Sequence, residues 1–261
     1  EPAPASPVLA MLLRRGLRPR STRPDLPFPP ALDPARAEAL CRRLDHYAFR
    51  LFLRGAIQRP EGFAPSAATR YLPPEKAREH AELLVGLSLA ERLPRGRYRL
   101  VHPARSFGGT LEWYVARELS RRLGFDVATG LTLGARGVGG DLDVVAVADG
   151  RLVYLELKSS PPRHLEVGEV AAFIGRVRAV RPDLSLLVLD TGLRLADKVV
   201  PMLVAAVGAS RPGAPPEPRR LARELWAITP LLFAVNAKPD LIGNVGRVIA
   251  EGLLALAPPP P

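Results

Sequence analysis

Cysteine is nearly absent from this chain of 261 residues. Cys41 stands alone, which excludes a disulfide framework and any cluster of thiolate ligands. Lysine is almost as scarce: Lys76, Lys158, Lys198 and Lys238 are the only four among 37 basic residues, leaving 33 arginines. No stretch approaches the roughly 18 consecutive apolar residues of a membrane span. The opening EPAPASPVLAMLLRRGLRPR puts its apolar run before its arginines, the reverse of a secretory signal. A cytoplasmic chain is expected. The four histidines, His46, His80, His102 and His164, form no His-Glu-x-x-His pattern, and there is no Gly-x-Ser-x-Gly elbow. The glycine-rich GARGVGGD has no Gly-Lys-Ser/Thr after it and leads into a strand pattern, so it offers no phosphate cradle.

What is present argues for a folded protein. The hydrophobic fraction is 47%, and this length suits one large domain or two small ones. The 29 prolines gather near the termini and between periodic segments, where linkers fall. The net charge of +11 is uneven: residues 1–107 carry 19 basic and 10 acidic side chains, residues 108–261 carry 18 and 16. Such a division suggests a polyanion-binding module joined to a nearly neutral one, although arginine richness also follows from a GC-rich genome.

Residues 1–34, rich in Pro and Arg without periodicity, read as a flexible basic arm. A helical pattern runs from Asp33 to Gly55, a short one follows near Ser66–Tyr71, and a longer one spans about Pro74–Arg92. RLPRGRYRLVHP then alternates basic and apolar residues about Arg95-Gly96, as a hairpin does. Three helices and a basic hairpin are the order of a winged helix-turn-helix over residues 35–107. There Arg95, Arg97 and Arg99 would meet phosphate and Arg70 would approach a groove. A helical cap with a solvated arginine face and a protein-contact module are the alternatives. From residue 108 onward, helix and strand patterns alternate. The expected helices are Thr110–Leu123, Val167–Val180, Ala196–Val207, Arg219–Trp226 and Leu241–Leu256. The expected strands are Phe125–Leu133, Leu142–Ala148, Arg151–Leu157, Leu184–Leu189 and Leu231–Val235. The order α-β-β-β-α-β gives a mixed sheet flanked by helices, an α/β domain over 108–261.

Within that domain, GGDLDVVAVADGRLVYLELKSS concentrates four acidic residues around Asp149-Gly150, a strong two-residue hairpin signal. If those two residues form the loop, Ala148 pairs with Arg151, Asp143 faces Glu156 and Asp141 faces Lys158. Period-two alternation puts all four side chains on one face. Like charges so placed call for a shared proton, a neighbouring cation or a metal ion, and carboxylate oxygens suit Mg²⁺ or Mn²⁺. A surface face bearing an Asp–Lys ion pair, worth little energetically, is the other reading of the same spacing.

Asp143 followed after a turn by Glu156-Leu157-Lys158 resembles the bipartite Asp…Glu-x-Lys motif of the PD-(D/E)xK nuclease superfamily. The resemblance covers about Gly108–Thr191 and implies the restriction endonuclease-like fold, whose core is also α-β-β-β-α-β. In GGTLEWYVARELSRRLGF, Glu112 occupies the family's helix position, with Glu118 on the same helix; Leu142 stands where the family's name has proline. The resemblance implies a Mg²⁺- or Mn²⁺-dependent endonuclease acting on nucleic acid, most simply DNA. Asp143 and Glu156 would hold the metal with the backbone carbonyl of Leu157, and Glu112 would ligate directly or through water. Lys158 would orient the attacking water and offset charge on the phosphorane. Asp141 would be an auxiliary ligand or only a partner of Lys158. Separately from the resemblance, helical spacing puts Arg176 on one face with Glu169 and Phe173, where it or Arg178 would touch the substrate backbone; a solvated helix face is the alternative. Enzymes that cut both strands are often homodimers. Two other outcomes stay open: an RNA nuclease, and a non-catalytic DNA-binding protein that keeps the scaffold.

Overall fold

The computed structural model describes residues 6–133, 140–209 and 213–257. In chain order its elements are α1 (Pro7–Arg14), β1 (Pro19–Ser21), α2 (Pro34–Leu44), α3 (Tyr47–Ile57), α4 (Pro65–Ala68), α5 (Pro74–Gly86), β2 (Ala90–Leu93) and β3 (Arg97–Leu100). Then come α6 (Gly108–Leu123), β4 (Asp126–Leu133), β5 (Asp141–Ala148), β6 (Arg151–Lys158), α7 (Val167–Val180), β7 (Leu184–Leu189), α8 (Val199–Gly208), β8 (Arg219–Ala222), β9 (Leu225–Thr229), β10 (Leu232–Asn236) and α9 (Leu241–Leu256). The chain divides into two units, one of residues 1–22 with 115–261, the other of residues 23–114.

The larger unit is a mixed eight-stranded sheet of order β1-β4-β5-β6-β7-β10-β9-β8. β6 and β7 run parallel, as do β7 and β10, while the remaining pairs are antiparallel. The α/β expectation holds, and the order α-β-β-β-α-β is present as α6-β4-β5-β6-α7-β7. Strand β7 is LSLLVL, buried at every position, because parallel central strands are covered on both faces. On one face Val145, Leu152, Tyr154, Leu187, Leu189 and Ala234 pack with α1, α7 and α8 residues such as Val8, Leu12, Phe173 and Leu203. On the other, α9 comes so close that a Cβ at Gly252 would lie 2.5 Å from Leu184 Cδ2 and 3.2 Å from Phe233 Cε2.

The N-terminal segment overturns one expectation. From residue 6 it is not a flexible arm: α1 buries Val8 and Leu12 completely, and Asp126 Oδ1 accepts the Val8 N–H at 3.1 Å. β1 then pairs with β4 to extend the sheet. The apolar run VLAMLL, which puts Val8, Met11 and Leu12 on one face at helical spacing, outweighs the flanking prolines, one of which occupies the first helical turn where its missing N–H is harmless. Residues 1–5 lie outside the described residues, as does the glycine-rich stretch 134–139. This reassignment also dissolves the charge division. Residues 23–114 hold 15 basic and 10 acidic side chains, so the rest hold 22 and 16, giving +5 and +6.

The smaller unit carries four helices and the β2–β3 hairpin. The single helix expected from Asp33 to Gly55 is broken at Asp45-His46, where the buried Arg50 guanidinium takes the Leu44 and Asp45 carbonyls. α5 stops at Gly86, with Ser88 at φ 56°, and the following residues join the hairpin instead of the helix. Phe49, Phe52, Phe63 and Tyr98 form its aromatic core. Gly55 has to be glycine, since a Cβ there would lie 1.7 Å from the Ala68 carbonyl oxygen. The expected helix at Arg219–Trp226 is the third correction. Those residues form β8 and the start of β9, because Leu225-Trp-Ala-Ile-Thr is a β-branched and aromatic run that fits a pleated surface.

Candidate functional site

The β5–β6 hairpin turns on Asp149 (φ 49°) and Gly150 (φ 70°), the pair of left-handed residues that a type I′ turn requires. The register is the one that the turn dictates: Ala148 faces Arg151, Val147 faces Leu152, and the pairing continues to Val144 facing Leu155. There the ladder opens. The Leu157 N–H, which the next β5 carbonyl would have accepted in a continued ladder, donates to Asp143 Oδ2 at 2.7 Å. β6 continues instead against β7, with Glu156 beside Leu187 and Lys158 beside Leu189. Alternation still puts Asp143, Tyr154, Glu156 and Lys158 on the face that α7 covers.

The opening corrects the expected pairing one step out. Asp141 does not meet Lys158: it faces Thr132 of β4, and its Oδ2 lies 3.5 Å from Thr22 Oγ1. Lys158 Nζ instead sits 3.2 Å from Glu156 Oε1 and 3.1 Å from Glu169 Oε1. Glu169 is in place because it closes a capping box at the start of α7, accepting the Glu166 N–H at 2.9 Å.

Glu156 is only 2% exposed, and its carboxylate is engaged at both oxygens. Arg176 Nη2 donates to Oε1 at 2.7 Å, and the Tyr154 hydroxyl donates to Oε2. Arg176 Nε donates in turn to the Tyr154 oxygen at 3.0 Å. Arg176 is therefore a buried partner of Glu156, 8% exposed, and not the exposed backbone contact expected of it. Phe173 and Arg176 do share one helical face, and that face points into the protein. Tyr154 was missed because a tyrosine between leucines and valines in a strand reads as core packing. Its place two residues before Glu156 on the same face was the available signal.

Electrostatics follow this geometry. Burial pushes the Tyr154 hydroxyl well above its usual range, with Glu156 and then Asp143 adding to the effect against the opposing Arg176. Both carboxylates thus lie close enough to act on one phenol. Burial alone would lower Lys158, but Glu156 and Glu169 outweigh it and hold the ammonium above its ordinary value. Burial likewise opposes ionisation of Glu169, and the Glu166 N–H and Lys158 override it, leaving Glu169 below its ordinary value.

Glu112 is half-buried near the start of α6, in the unit of residues 23–114. Glu118, the other candidate on that helix, is fully buried, and its carboxylate is taken up by Arg121 at 2.7 Å and by Arg122. Arg70, Arg95, Arg97 and Arg99 are all exposed. Arg70 lies against Tyr71, donating to its hydroxyl at 3.0 Å; Arg97 Nη2 donates to the Gly62 carbonyl at 2.9 Å; Arg99 pairs with Glu91 at 2.6 Å.

Hard oxygen donors, three carboxylates (Asp143, Glu156, Glu169) against two cations (Lys158, Arg176), leave the cluster with an excess negative charge. Among the described residues no group of three or more His, Cys, Asp and Glu side chains is arranged to hold a metal ion. A Mg²⁺ here would have to be held in an open site. Asp143 and Glu156 would supply two ligands, and water and substrate phosphate the rest, the usual style of Mg²⁺ binding. Among the described residues no helix is long and apolar enough to cross a membrane.

No family model and no curated protein matches the chain. Among solved structures it is similar to protein VC1899 from Vibrio cholerae, with a TM-score of 0.48 and 18% identity over 73% of this chain and 53% of that one. It is also similar to Can2 from Sulfobacillus thermosulfidooxidans, solved in complex with cyclic tetra-adenylate, with a TM-score of 0.44 and 17% identity over 69% of this chain and 50% of that one. The chain spans about half the length of each.

Proposed function

We propose that this chain is a nucleic-acid phosphodiesterase of the PD-(D/E)xK type, with Asp143, Glu156 and Lys158 as its reactive cluster and DNA as its simplest substrate. The observation that carries the reading is the opening of the β5–β6 ladder. It ends the β5–β6 pairing before Asp143 and Glu156, with Glu156 still paired to β7, while keeping both on one face with Lys158 at the rim. Mg²⁺ or Mn²⁺ held by Asp143 and Glu156 would polarise the scissile phosphate and acidify water. Lys158, held cationic by Glu156 and Glu169, orients that water and offsets charge on the phosphorane. Glu169 restrains the lysine, and the Leu157 amide fixes the Asp143 carboxylate. Lys198 and Lys238 lie near the same end of the parallel strands. Lys198 Nζ donates to the Arg163 carbonyl at 2.9 Å, and exposed Lys238 runs beside Gly192 just after β7. They suit contacts to substrate phosphates, which position rather than specify.

The smaller unit supports a winged-helix reading in its order, including a Phe63–Tyr98 bridge that adds a third strand segment to the β2–β3 hairpin. α5 exposes Glu75 and Glu79 beside Lys76 and Arg78, a face of mixed charge. Nucleic-acid contact by this unit is therefore assigned to Arg70 and Arg95 at its rim. A second reading, a non-catalytic binding protein, is favoured by the engagement of Glu156 with Arg176. Cleavage assays with Mg²⁺ or Mn²⁺ on single-stranded, duplex and branched DNA and on RNA separate the two. One substrate should be cut, and Lys158→Gln should slow cutting by a hundredfold or so, the scale of a single positioned polar group. No cutting of any of them would favour the binding protein.

A further inference from the structure

Arg176 stands where an added cation would have to act. It lies in the turn of α7 after Phe173, whose ring packs 5.7 Å from that of Tyr154, and this packing aims the guanidinium at Glu156. Nη2 holds Oε1, Nε holds the Tyr154 oxygen, and the Tyr154 hydroxyl holds Oε2. Lys158 completes the first oxygen. Beside Nη1 lies Gly140, at φ 87°, where a Cβ would come within 3.1 Å; the glycine leaves that side of the guanidinium uncrowded. An arginine in a protein does not deprotonate, so this cation cannot be removed by shedding a proton. A second positive ion at Glu156 must meet Arg176 and Lys158 at close range in a poorly screened interior.

We propose that Arg176 is the resident counter-ion of Glu156, a positioning residue that a divalent cation has to displace before the cluster is loaded. This rests on the reading of Asp143 and Glu156 as cation ligands. Arg176 offsets the negative charge of the buried carboxylate while the site is empty, and makes loading weak in the absence of substrate. A nucleic-acid phosphate arriving at the rim offers the guanidinium an alternative anion, so substrate and cation bind cooperatively.

Calorimetric titration of the whole chain with Mn²⁺ alone, without nucleic acid, tests this. Arg176→Gln, which keeps a hydrogen-bonding side chain while removing the charge, should bind Mn²⁺ at least tenfold more tightly than the unaltered chain. Arg176→Met should do the same, and the gain should vanish when Glu156→Gln is added to either. Unchanged or weaker binding in a folded neutral variant overturns the proposal, as does a gain that survives Glu156→Gln. Failure of both neutral variants to fold overturns it too, since a counter-ion the fold cannot lose cannot be displaced. Cleavage is not the readout: a chain that behaves as expected here yet cuts nothing refutes the nuclease reading and leaves the role of Arg176 standing.

Discussion

The two hairpins each turn on a pair of left-handed residues and differ most in what surrounds them. Leu93 and Arg97 close a three-residue loop in β2–β3, and Ala148 and Arg151 close a two-residue loop in β5–β6. β2–β3 turns on Arg95 and Gly96, both at positive φ (61° and 69°), as β5–β6 does on Asp149 and Gly150. In β2–β3 the charges face water: Arg99 and Glu91 are 47% and 48% exposed in their side chains. In β5–β6 the same kind of alternation sends Glu156 beneath α7, where it must be met by Arg176, Lys158 and Tyr154. The turn decides register in both. Burial decides whether a charged pair is incidental or a constraint on the whole face.

Removing a partner on the buried side should have the largest effect. Glu156→Ala leaves Arg176 uncompensated and is expected to lower unfolding free energy by about 3–5 kcal/mol in urea titration. Leu12→Ala opens a void on the same covered face and should cost about 2–5 kcal/mol. The residue belongs to a segment whose sequence looks like a tail, so a negligible effect there would detach α1 from the sheet unit. Tyr154→Phe, which strips one donor from Glu156, should cost about 1–3 kcal/mol. Arg99→Ala on the exposed hairpin should cost less than about 1 kcal/mol. Equal losses for Glu156→Ala and Arg99→Ala would erase the contrast between the hairpins.

Acid reaches both regions by the same linkage. Glu82, hydrogen-bonded by Arg92 and then Tyr98, is held below its ordinary 4.5. Glu169 is held below 4.5 as well, its hydrogen bonds to Glu166 N–H and Lys158 outweighing burial. For a carboxylate with a lowered folded pKa, the stabilisation is present above 4.5 and is lost as pH falls through the folded value. Glu82→Gln and Glu169→Gln should each flatten the fall in urea midpoint between pH 5 and the acid limit. A pH dependence unchanged by either variant would contradict the assigned ion pairs.

Much of the sheet unit was legible in the sequence. α7, β7 and α9 have the bounds expected from their apolar periodicity, and Asp149-Gly150 set the β5–β6 register through Val144 and Leu155. Local pattern failed where tertiary contacts override it. The α1 segment is helical and buried because a sheet waits for it, and residues 219–226 pair as strands because β10 offers an edge. At the site, period-two counting brought Asp143, Glu156 and Lys158 to one face. It could not foresee that the Asp143 side chain would take the Leu157 amide and so end the ladder before Asp141 reached Lys158. The partner of Glu156 lies 20 residues away on α7, a distance in sequence that no hairpin rule spans.

Asp143→Asn offers the most direct test of the central claim. The amide oxygen can still accept the Leu157 N–H, so the hairpin keeps its geometry while the carboxylate charge is lost. Cleavage of labelled DNA in Mn²⁺ should fall at least a hundredfold in this variant, with its melting temperature close to that of the unaltered chain. Undiminished cleavage by a folded Asp143→Asn chain would contradict the assignment of this hairpin as the reactive site.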